Sequence, residues 1–312
     1  MANLDISVVA PAYNEAKNLK LFCQKTKQVL KQLTKKFEII IVDDGSTDNT
    51  QSVLIKLKSK IPSLKIIQLR RNFGQSAALD AGIKYATGNI LVTIDADGQN
   101  DPQDIPKMLK KLKDDQVDCV CGWRFKRRDG FSKRFISKGA LIIGNLLANS
   151  GVHDSGCTLR AYKKECFNDI NLFGEMHRMI PALLKWRGFA ITEIKVNHRP
   201  RQHGQTKYTW QRILNGFSDM INVWFWRKYA SRPMHIFGSS GLVLIVFGSV
   251  LLTFLALARY FWGYPLADKI WPLVGFFLVL MGIQFFIFGI LASMIIQTRE
   301  NKHFYLVKKI IE

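Results

Sequence analysis

Several features are scarce or missing in this chain of 312 residues, and each absence excludes a class of protein. Its five cysteines are an odd number, and none has zinc-site spacing, since Cys119 and Cys121 stand one residue too close for C-x-x-C. We therefore expect reduced thiols in a cytosolic environment. The N-terminal stretch lacks a basic start followed by a long apolar run, so no signal peptide is expected. Neither G-x-G-x-x-G nor G-x-x-x-x-G-K-[ST] occurs, which argues against dinucleotide-binding and P-loop proteins.

Acidic residues are also few. The 24 Asp and Glu residues face 45 Lys and Arg residues, which gives a net charge of +21. Such an excess suits an anionic partner, which could be a membrane surface, a phosphorylated substrate or a nucleic acid. A nucleic acid would leave two features described below unexplained, the long apolar runs and the clustered carboxylates. We expect no nucleic-acid partner.

The C-terminal part contains two long apolar runs, Ile236–Ala258 and Trp271–Gln297, joined by the short linker 259–270. Each run exceeds the ~20 apolar residues that cross a bilayer, and a soluble helix of this length would keep a polar face. Basic residues flank the pair on its outer sides but are few in the linker. The flanking cations are Arg227, Lys228, Arg232, Arg299, Lys302, Lys308 and Lys309. The positive-inside rule therefore predicts two membrane spans with both termini in the cytoplasm.

The first 230 residues read as a soluble α/β domain, and residues 231–312 as the membrane region with a short cytoplasmic tail. Short runs rich in Ile and Val predict strands buried on both faces of a sheet, and stretches with helical spacing lie between them. The predicted strands are Ile6–Ala10, Phe37–Val42, Ile66–Leu69 and Ile90–Ile94, and the predicted helices are Asn18–Leu33, Thr50–Lys60 and Gln75–Ala86. Alternation of this kind predicts an open, Rossmann-like α/β sheet.

Polar clusters follow all four predicted strands, at 11–15, 43–48, 72–75 and 95–99. Because ligands bind beyond the carboxyl ends of strands in open α/β sheets, these clusters predict one shared crevice. Asp95 and Asp97 are two residues apart on a turn and can face one hard cation, with Gln99 adding a carbonyl oxygen. Asp43 and Asp44 could bind a base or a ribose, or serve only as a turn and a helix cap, and both readings stay open.

Two later segments, 131–149 and 208–229, mix basic and aromatic residues with apolar ones. This composition is typical of interfacial helices on an anionic leaflet, although packing helices of the soluble domain would show a similar pattern. The second segment runs directly into the first apolar run, which favours the interfacial interpretation. Such helices could also pair protomers into a homo-oligomer.

Four sequence motifs resemble family 2 glycosyltransferases with the GT-A fold: Pro11-Ala-Tyr-Asn-Glu15, Val42-Asp-Asp-Gly-Ser-Thr-Asp48, Arg71-Asn-Phe-Gly74 and Asp95-Ala-Asp-Gly-Gln99. More narrowly, the chain resembles polyprenyl-phosphate glycosyltransferases, such as dolichyl-phosphate mannose synthases and the bacterial enzymes that load glucose, aminoarabinose or an amino sugar onto undecaprenyl phosphate. The resemblance covers the soluble part and the two apolar runs. It implies a nucleotide-sugar donor, a polyprenyl (undecaprenyl) phosphate acceptor, and Mg²⁺ or Mn²⁺ as cofactor.

The resemblance also implies roles for individual residues. The nucleoside would be held by Pro11, Tyr13, Glu15, Asp43, Asp44 and Asp95. The metal and the donor diphosphate would be held by Asp95, Asp97 and Gln99. The lipid phosphate and the sugar would be held by Arg124, Lys133, Arg134, Ser137, Asp154 and Ser155, and a basic loop with Arg201 and Lys207 would close over the diphosphate. Glu175-Met-His177 lies where relatives carry polar residues near the sugar. Two departures are Gly98, where many relatives have Leu, and Gln205, where relatives often have Glu.

The chemistry of the residues agrees with this assignment. A lipid phosphate is already anionic near pH 7 and can attack an anomeric carbon without a side-chain base. Arg124, Arg134, Arg201 and Lys207 could offset the repulsion between two anionic reactants, with Asp95 and Asp97 holding the metal. We expect an inverting transferase that moves one sugar from a UDP-sugar at the inner membrane of a bacterium, for envelope glycan or lipid A modification. The residues 157–162 favour an amino sugar or N-acetylhexosamine, and glucose and mannose stay open. The alternative is a non-catalytic membrane scaffold or lipid-binding protein that retains the fold.

Overall fold

The computed structural model describes residues 5–125, 151–168, 170–199, 233–266, 269–297 and 307–311. Contacts divide the chain into two units, one of Met1–Ile221 with Lys302–Glu312 and one of Asn222–Asn301. The predicted boundary between residues 230 and 231 and both predicted interfacial segments lie outside the described residues.

The first unit is built on one eight-stranded sheet with the order β7-β5-β6-β4-β1-β2-β3-β8. The strands are β1 (Ile6–Ala12), β2 (Phe37–Asp43), β3 (Leu64–Leu69), β4 (Ile90–Thr93), β5 (Cys119–Trp123), β6 (Arg160–Lys163), β7 (Ile191–Lys195) and β8 (Val307–Ile311). The helices of this unit are α1 (Ala16–Leu33), α2 (Thr50–Lys58), α3 (Gln75–Tyr85), α4 (Ile105–Asp114) and α5 (Ile180–Trp186). The predicted open α/β sheet is confirmed, and the seven predicted elements begin and end within two residues of the observed ones.

Strand β2 shows why the sheet is buried on both faces. All seven of its residues are buried. Ile39 and Ile41 belong to one apolar cluster, whereas Ile40 and Val42 belong to the cluster on the opposite face. Successive side chains in a strand point to opposite faces, so a continuous apolar run requires cover on both sides. Helices packed on each face supply that cover.

The sheet is mixed rather than wholly parallel. Strands β1 to β4 pair in parallel, but β6 runs antiparallel between β4 and β5, and β8 runs antiparallel beside β3. The chain therefore returns to the sheet of the first unit after its long apolar helices. An unpaired edge at β3 would present a row of unsatisfied backbone groups, and β8 occupies that edge.

The second unit contains two long helices, α6 (Met234–Trp262) and α7 (Trp271–Gln297). Both are long and apolar enough to cross a membrane. Large apolar side chains cover their outer surfaces, and Val243, Phe247 and Phe254 are each more than 60% exposed. A soluble surface rarely carries so large an apolar patch, whereas lipid tails would cover it. The predicted runs coincide with these two helices.

Glycines spaced seven residues apart bring α6 and α7 into close contact. A Cβ on Gly241 would lie 2.5 Å from the carbonyl oxygen of Gly282, and a Cβ on Gly248 would lie 2.8 Å from that of Gly275. Position 241 thus faces 282 and position 248 faces 275, so the helices are antiparallel. Small residues at such contacts let helix backbones approach closely in a membrane. The antiparallel arrangement puts the start of α6 and the end of α7 at the same end of the pair.

The first prediction concerns this glycine contact. Gly282→Val puts two methyl groups against the backbone of Gly241, whose carbonyl oxygen lies 2.6 Å from where a Cβ would be. Overpacking of this kind costs about 1–3 kcal/mol, so the unfolding midpoint of the detergent-solubilised protein should fall. Ile287→Val, on an exposed position of the same helix, is the control and should leave the midpoint nearly unchanged. Equal midpoints for the two variants would contradict the described packing.

At the amino ends of the strands, Glu38 ties three segments together. This side chain is 2% exposed and accepts hydrogen bonds from the Ser7 hydroxyl and from the backbone N–H and hydroxyl of Thr87. Lys65 Nζ lies 2.9 Å from its other oxygen. Burial alone would raise the pKa of Glu38, but these donors together lower it below its ordinary value. The carboxylate therefore stabilises the fold in its ionised form.

The second prediction follows from that pKa. A carboxylate whose folded pKa is lowered contributes stability above its unfolded pKa and loses it as the pH falls through the folded one. Glu38→Gln should therefore reduce the free energy of unfolding by about 1–3 kcal/mol near pH 7, and the difference from wild type should shrink below about pH 4. Urea unfolding at several pH values measures this. A difference that grows as the pH falls would contradict the assignment.

Candidate active site

The carboxyl ends of β1, β2 and β4 meet at one edge of the sheet. The register pairs Pro11 with Val42 and Ala12 with Asp43, and it places Thr93 beside Val9. The loops that follow these strands therefore start side by side, as the polar clusters in the sequence predict. Pro11 and Tyr13 lie at the end of β1, half-buried, next to the carboxylates that follow β2.

Asn14 joins the loop after β1 to the loop after β2. Its backbone lies in the left-handed region, with φ of 58°, a conformation that asparagine adopts more readily than most residues. Its side-chain oxygen accepts hydrogen bonds from the backbone N–H groups of Thr47 (2.8 Å) and Asp48 (3.3 Å), and its own N–H donates to the Ser46 hydroxyl. The next residue, Glu15, accepts a hydrogen bond from the Asn18 side chain. The two loops thus form one rigid rim.

Asp44 holds the start of α3. Its Oδ1 accepts the backbone N–H of Phe73 at 2.7 Å, and its Oδ2 accepts that of Gly74 at 2.9 Å. A negative charge at a helix N-terminus is electrostatically favourable. Burial raises the pKa of Asp44 against the lowering effect of these two hydrogen bonds, and the nearby charge of Asp43 raises it further. Both oxygens of Asp44 thus position the loop, and its assignment to the nucleoside stays a prediction.

Asp43 differs from its neighbour. Its Oδ1 accepts the backbone N–H of Ser46 at 3.0 Å, as expected of a turn residue. Its Oδ2 is buried and has no hydrogen-bond partner within the described part of the chain. A buried acceptor without a donor is costly, and in this respect Asp43 differs from Asp44, both of whose oxygens accept a hydrogen bond. The assignment of Asp43 to the nucleoside stays a prediction.

The Asp95–Asp97 turn follows β4 and is held from two sides. Gln75, the first residue of α3, donates from Nε2 to Asp95 Oδ1 at 2.7 Å, and the backbone N–H of Gln99 donates to Asp97 Oδ1 at 3.0 Å. Gly98 has φ of +76°, a left-handed conformation that costs residues other than glycine about 1–3 kcal/mol. The glycine at this position therefore suits the turn, and a leucine there would be strained.

The donor set of this turn fits a hard divalent cation. Asp95 and Asp97 offer carboxylate oxygens, and Gln99 offers an amide oxygen, which are the ligands that Mg²⁺ and Mn²⁺ prefer. In the described ranges no group of three or more His, Cys, Asp and Glu side chains could hold a metal by itself. A two-carboxylate site of this kind matches an ion that takes its remaining ligands from a substrate diphosphate.

Arg124 and Asp154, predicted separately, form a buried ion pair. Arg124 Nε and Nη2 donate to the two oxygens of Asp154 at 2.7 and 2.9 Å, and the backbone N–H of Gly156 also reaches Asp154. The arrangement is bidentate, which fixes the plane of the guanidinium group. The Arg124 side chain is 14% exposed. Asp154 thus orients Arg124, whose Nη1 group takes no part in this pair.

The loop that carries Asp154 is fixed at further points. The His153 ring stacks on Trp123 with ring centroids 4.5 Å apart. The backbone N–H and the ring Nδ1 of His153 both form hydrogen bonds with the Glu193 carboxylate of β7. The carbonyl oxygen of Ser155 accepts a hydrogen bond from Arg160. The loop therefore presents its side chains from a rigid backbone.

Some predicted residues cannot be placed. Lys133, Arg134, Ser137, Arg201, Lys207 and Gln205 lie outside the described residues. The remaining ones divide into two groups by their contacts. Asp44 and Asp95 both connect to the start of α3, and Arg124 pairs with Asp154 on the loop after residue 151, which also carries Ser155. Their individual roles stay predictions.

Two residues without an individual predicted role join these parts. Gln75 connects α3 to Asp95, and Arg160 of β6 lies beside Thr93, two residues before Asp95. Gln75 ends the polar cluster at 72–75, whereas the sequence pattern assigns Arg160 no role. A sequence pattern does not say which distant group either side chain contacts.

Comparison with known proteins decides the family. Residues 7–170 match the model of the family described as "Glycosyl transferase family 2". The chain belongs to this glycosyltransferase family. It is 34% identical to dodecaprenyl-phosphate galacturonate synthase of Rhizobium johnstonii, over 99% of this chain and 94% of that protein. It is 31% identical to undecaprenyl-phosphate 4-deoxy-4-formamido-L-arabinose transferase of Photorhabdus laumondii, over 93% of this chain and 88% of that protein.

The fold has solved counterparts. Glucosyl-3-phosphoglycerate synthase of Mycobacterium tuberculosis, in complex with Mn²⁺ and UDP-glucose, covers 72% of this chain and 79% of its own with a TM-score of 0.56 and 18% identity. Mannosyl-3-phosphoglycerate synthase of Rubrobacter xylanophilus covers 71% and 74% with a TM-score of 0.54 and 17% identity. These are GT-A glycosyltransferases, so the predicted GT-A fold is confirmed. The protein is a glycosyltransferase with two apolar helices that could span a membrane.

The third prediction tests the Asp44 contact in this glycosyltransferase. Asp44→Asn replaces one of two accepting oxygens by an NH₂ group that faces a backbone N–H. The loss should cost about 1–3 kcal/mol of unfolding free energy and weaken sugar-nucleotide binding, because the start of α3 is released. Asp115→Asn, which removes only an exposed ion pair with Lys111, is the control. If Asp44→Asn leaves both the unfolding midpoint and binding unchanged, the proposed hold on α3 is wrong.

Proposed function

We propose that this glycosyltransferase moves one sugar from a UDP-sugar onto undecaprenyl phosphate, with inversion at the anomeric carbon, at the cytoplasmic face of a bacterial inner membrane. The product is a polyprenyl-monophosphate sugar for envelope glycan or lipid A modification. Two relatives that align over nearly the whole chain carry names of polyprenyl-phosphate sugar transfer, which supports this acceptor class.

The observation that carries the proposal is the contact between Gln75 and Asp95, 2.7 Å long. Through it, the D-x-D turn after β4 meets the start of α3, which Asp44 holds from β2. Asp44, assigned to the nucleoside, and Asp95, assigned to the metal, thus connect to neighbouring residues at the start of α3, a spacing that suits a nucleoside diphosphate. This arrangement supports a nucleotide-linked donor over a scaffold role.

The acceptor needs no side-chain base. A phosphate monoester is ionised near neutral pH and is itself the nucleophile, so the phosphate oxygen attacks C1 and the nucleoside diphosphate leaves. The barrier comes from bringing an anionic acceptor up to an anionic donor. Arg124 is suited to reduce it, because Asp154 fixes the plane of the guanidinium group and leaves Nη1 for a phosphate oxygen.

The diphosphate side requires cations as well. A divalent ion held by Asp95, Asp97 and Gln99 would offset negative charge on the departing diphosphate. We assign Asp95 a further contact with the nucleoside. We assign Arg201 and Lys207 to a basic loop that closes over the diphosphate. We also assign nucleoside contacts to Asp43 and to the half-buried Tyr13.

The apolar helices suit a lipid acceptor. The start of α6 and the end of α7 lie at the same end of the antiparallel pair. A hairpin of this kind has both of its chain ends on one side of the membrane. The basic flanks of the hairpin favour the cytoplasmic side.

The fourth prediction is the direct test of the donor site. Purified enzyme is incubated with Mn²⁺ or Mg²⁺, undecaprenyl phosphate and a panel of labelled nucleotide-sugars. The UDP-linked amino sugars and N-acetylhexosamines come first, and UDP-galacturonate, UDP-glucose and GDP-mannose follow. Wild type should make a lipid-extractable labelled product with at least one donor. Asp97→Ala should lower turnover at least about 100-fold, since it removes a ligand of the metal.

A matched control separates the site from the fold. Asp114→Ala changes an aspartate on the exposed face of α4 and should transfer sugar at the wild-type rate. If Asp97→Ala retains activity, the metal assignment is wrong. If the wild type labels no lipid with any donor of the panel, the proposed function is wrong.

A further inference from the structure

The Asp95–Asp97 turn is followed by a stretch of chain that pairs with the residues after β7. The backbone N–H of Arg199 donates to the carbonyl oxygen of Gln99 at 2.8 Å. The next residue, Asn100, forms an isolated antiparallel bridge with His198. Two stretches that are far apart in the sequence thus form a short ladder directly beside a predicted metal ligand.

The backbone of Gln99 is held at both of its polar groups. Its N–H donates to Asp97 Oδ1 at 3.0 Å, and its carbonyl oxygen accepts the N–H of Arg199. The first contact orients the Asp97 carboxylate, and the second fixes the peptide group that follows the Gln99 side chain. A metal ligand keeps its orientation when hydrogen bonds fix the groups behind it. The orientation of both predicted ligands therefore depends on the position of Arg199.

The side chain of Arg199 is fixed by Asp101. Oδ2 of Asp101 accepts a hydrogen bond from Arg199 Nη2, and its Oδ1 accepts the backbone N–H of Gln103 at 3.2 Å. The Asp101 side chain is 4% exposed, and the Arg199 side chain is 42% exposed. Because a buried carboxylate that loses its cation is costly, this ion pair holds Arg199 in place.

A second ion pair joins the same two stretches farther along. Lys107 Nζ lies 2.7 Å from Asp104 Oδ1 and donates to the carbonyl oxygen of Lys195 at 2.8 Å. Its two side chains are 40% and 3% exposed, nearly the values of the first pair. Within the described residues these contacts of Lys107 do not reach Gln99. The two pairs thus resemble each other in exposure and differ in what they hold.

We propose that Arg199 and Asp101 are positioning residues for the predicted metal ligands Asp97 and Gln99. This inference rests on the metal site of the proposed function. The pair supplies no ligand to the ion, but it holds the Gln99 peptide group from behind. Its two charges offset each other, so the guanidinium group does not oppose the binding of a cation. The metal affinity is therefore set in part by residues outside the D-x-D motif.

The test measures binding of Mn²⁺ itself, by titration of the full-length protein in detergent and the electron paramagnetic resonance signal of the free ion. Asp97→Ala, which removes a ligand, defines the binding that belongs to this site. Arg199→Met should weaken that binding roughly tenfold, the scale on which partners behind a metal ligand contribute. Lys107→Met removes the matched ion pair and should leave Mn²⁺ binding unchanged, while the unfolding midpoint falls by a similar amount in both variants.

The direction of the change separates positioning from charge. By charge alone, Arg199→Met would strengthen Mn²⁺ binding, because it leaves the carboxylate of Asp101 uncompensated, and Asp101→Asn would weaken it. If the pair positions the turn, both variants weaken binding, and the double variant is no weaker than either single one. Arg199→Lys, which retains a cation for Asp101, should recover most of the affinity.

Other outcomes overturn the inference. Unchanged or tighter Mn²⁺ binding by Arg199→Met would refute the positioning role, and equal losses for Arg199→Met and Lys107→Met would show only a general loosening of the fold. Should Arg199→Met not fold, Arg199→Gln takes its place with the same expected direction.

The titration contains no lipid and no nucleotide, so its result is separable from the proposed function. Wild type that binds Mn²⁺ through Asp97 but labels no lipid would refute the proposed acceptor and leave this inference standing. Wild type whose Mn²⁺ binding is unaffected by Asp97→Ala, or that binds no Mn²⁺, would refute the metal site and this inference together.

Discussion

The two hydrogen bonds from Phe73 and Gly74 to the carboxylate of Asp44 are the contact on which the site depends. They fix the first turn of α3 against the end of β2. From that turn Gln75 reaches Asp95, and Ser76 reaches His177. The Asp95–Asp97 turn and the turn at 175–178 therefore take their positions from the same helix end. An anionic side chain at a helix N-terminus is an electrostatically stable way to hold that end.

Opposite charges are segregated around this helix end. The carboxylates lie where a cation and a nucleoside would bind. Arg124 lies beside the loop that follows residue 151, and Asp154 fixes the plane of its guanidinium group. Two anionic reactants can approach each other only where positive charges offset their repulsion. Arg160, buried without a carboxylate partner among the described residues, adds rigidity by bonding two carbonyl oxygens of different loops. Rigidity of this kind preorganises the site before a substrate arrives.

Local pattern predicted much of this architecture. The apolar runs at β1, β2 and β4 and the helical spacing of α1 and α3 are properties of neighbouring residues, so the sequence reveals them. The antiparallel insertion of β6 and the return of β8 to β3 depend on partners more than 60 residues away, which no local pattern encodes. The same holds in the site. The spacing of Asp95 and Asp97 is visible in the sequence. The contacts of Asp44 with the start of α3 and of Asp154 with Arg124 are long-range, and only the fold creates them.

The phosphate content of the lipid product tests the central claim most directly. Wild-type enzyme, given undecaprenyl phosphate and a donor that it uses, should yield a lipid whose mass equals undecaprenyl phosphate plus one sugar residue, with a single phosphorus atom and inverted anomeric configuration. This result is predicted because the acceptor phosphate is the nucleophile and the whole nucleoside diphosphate leaves. A lipid diphosphate sugar, or release of free sugar without any lipid product, would contradict the account.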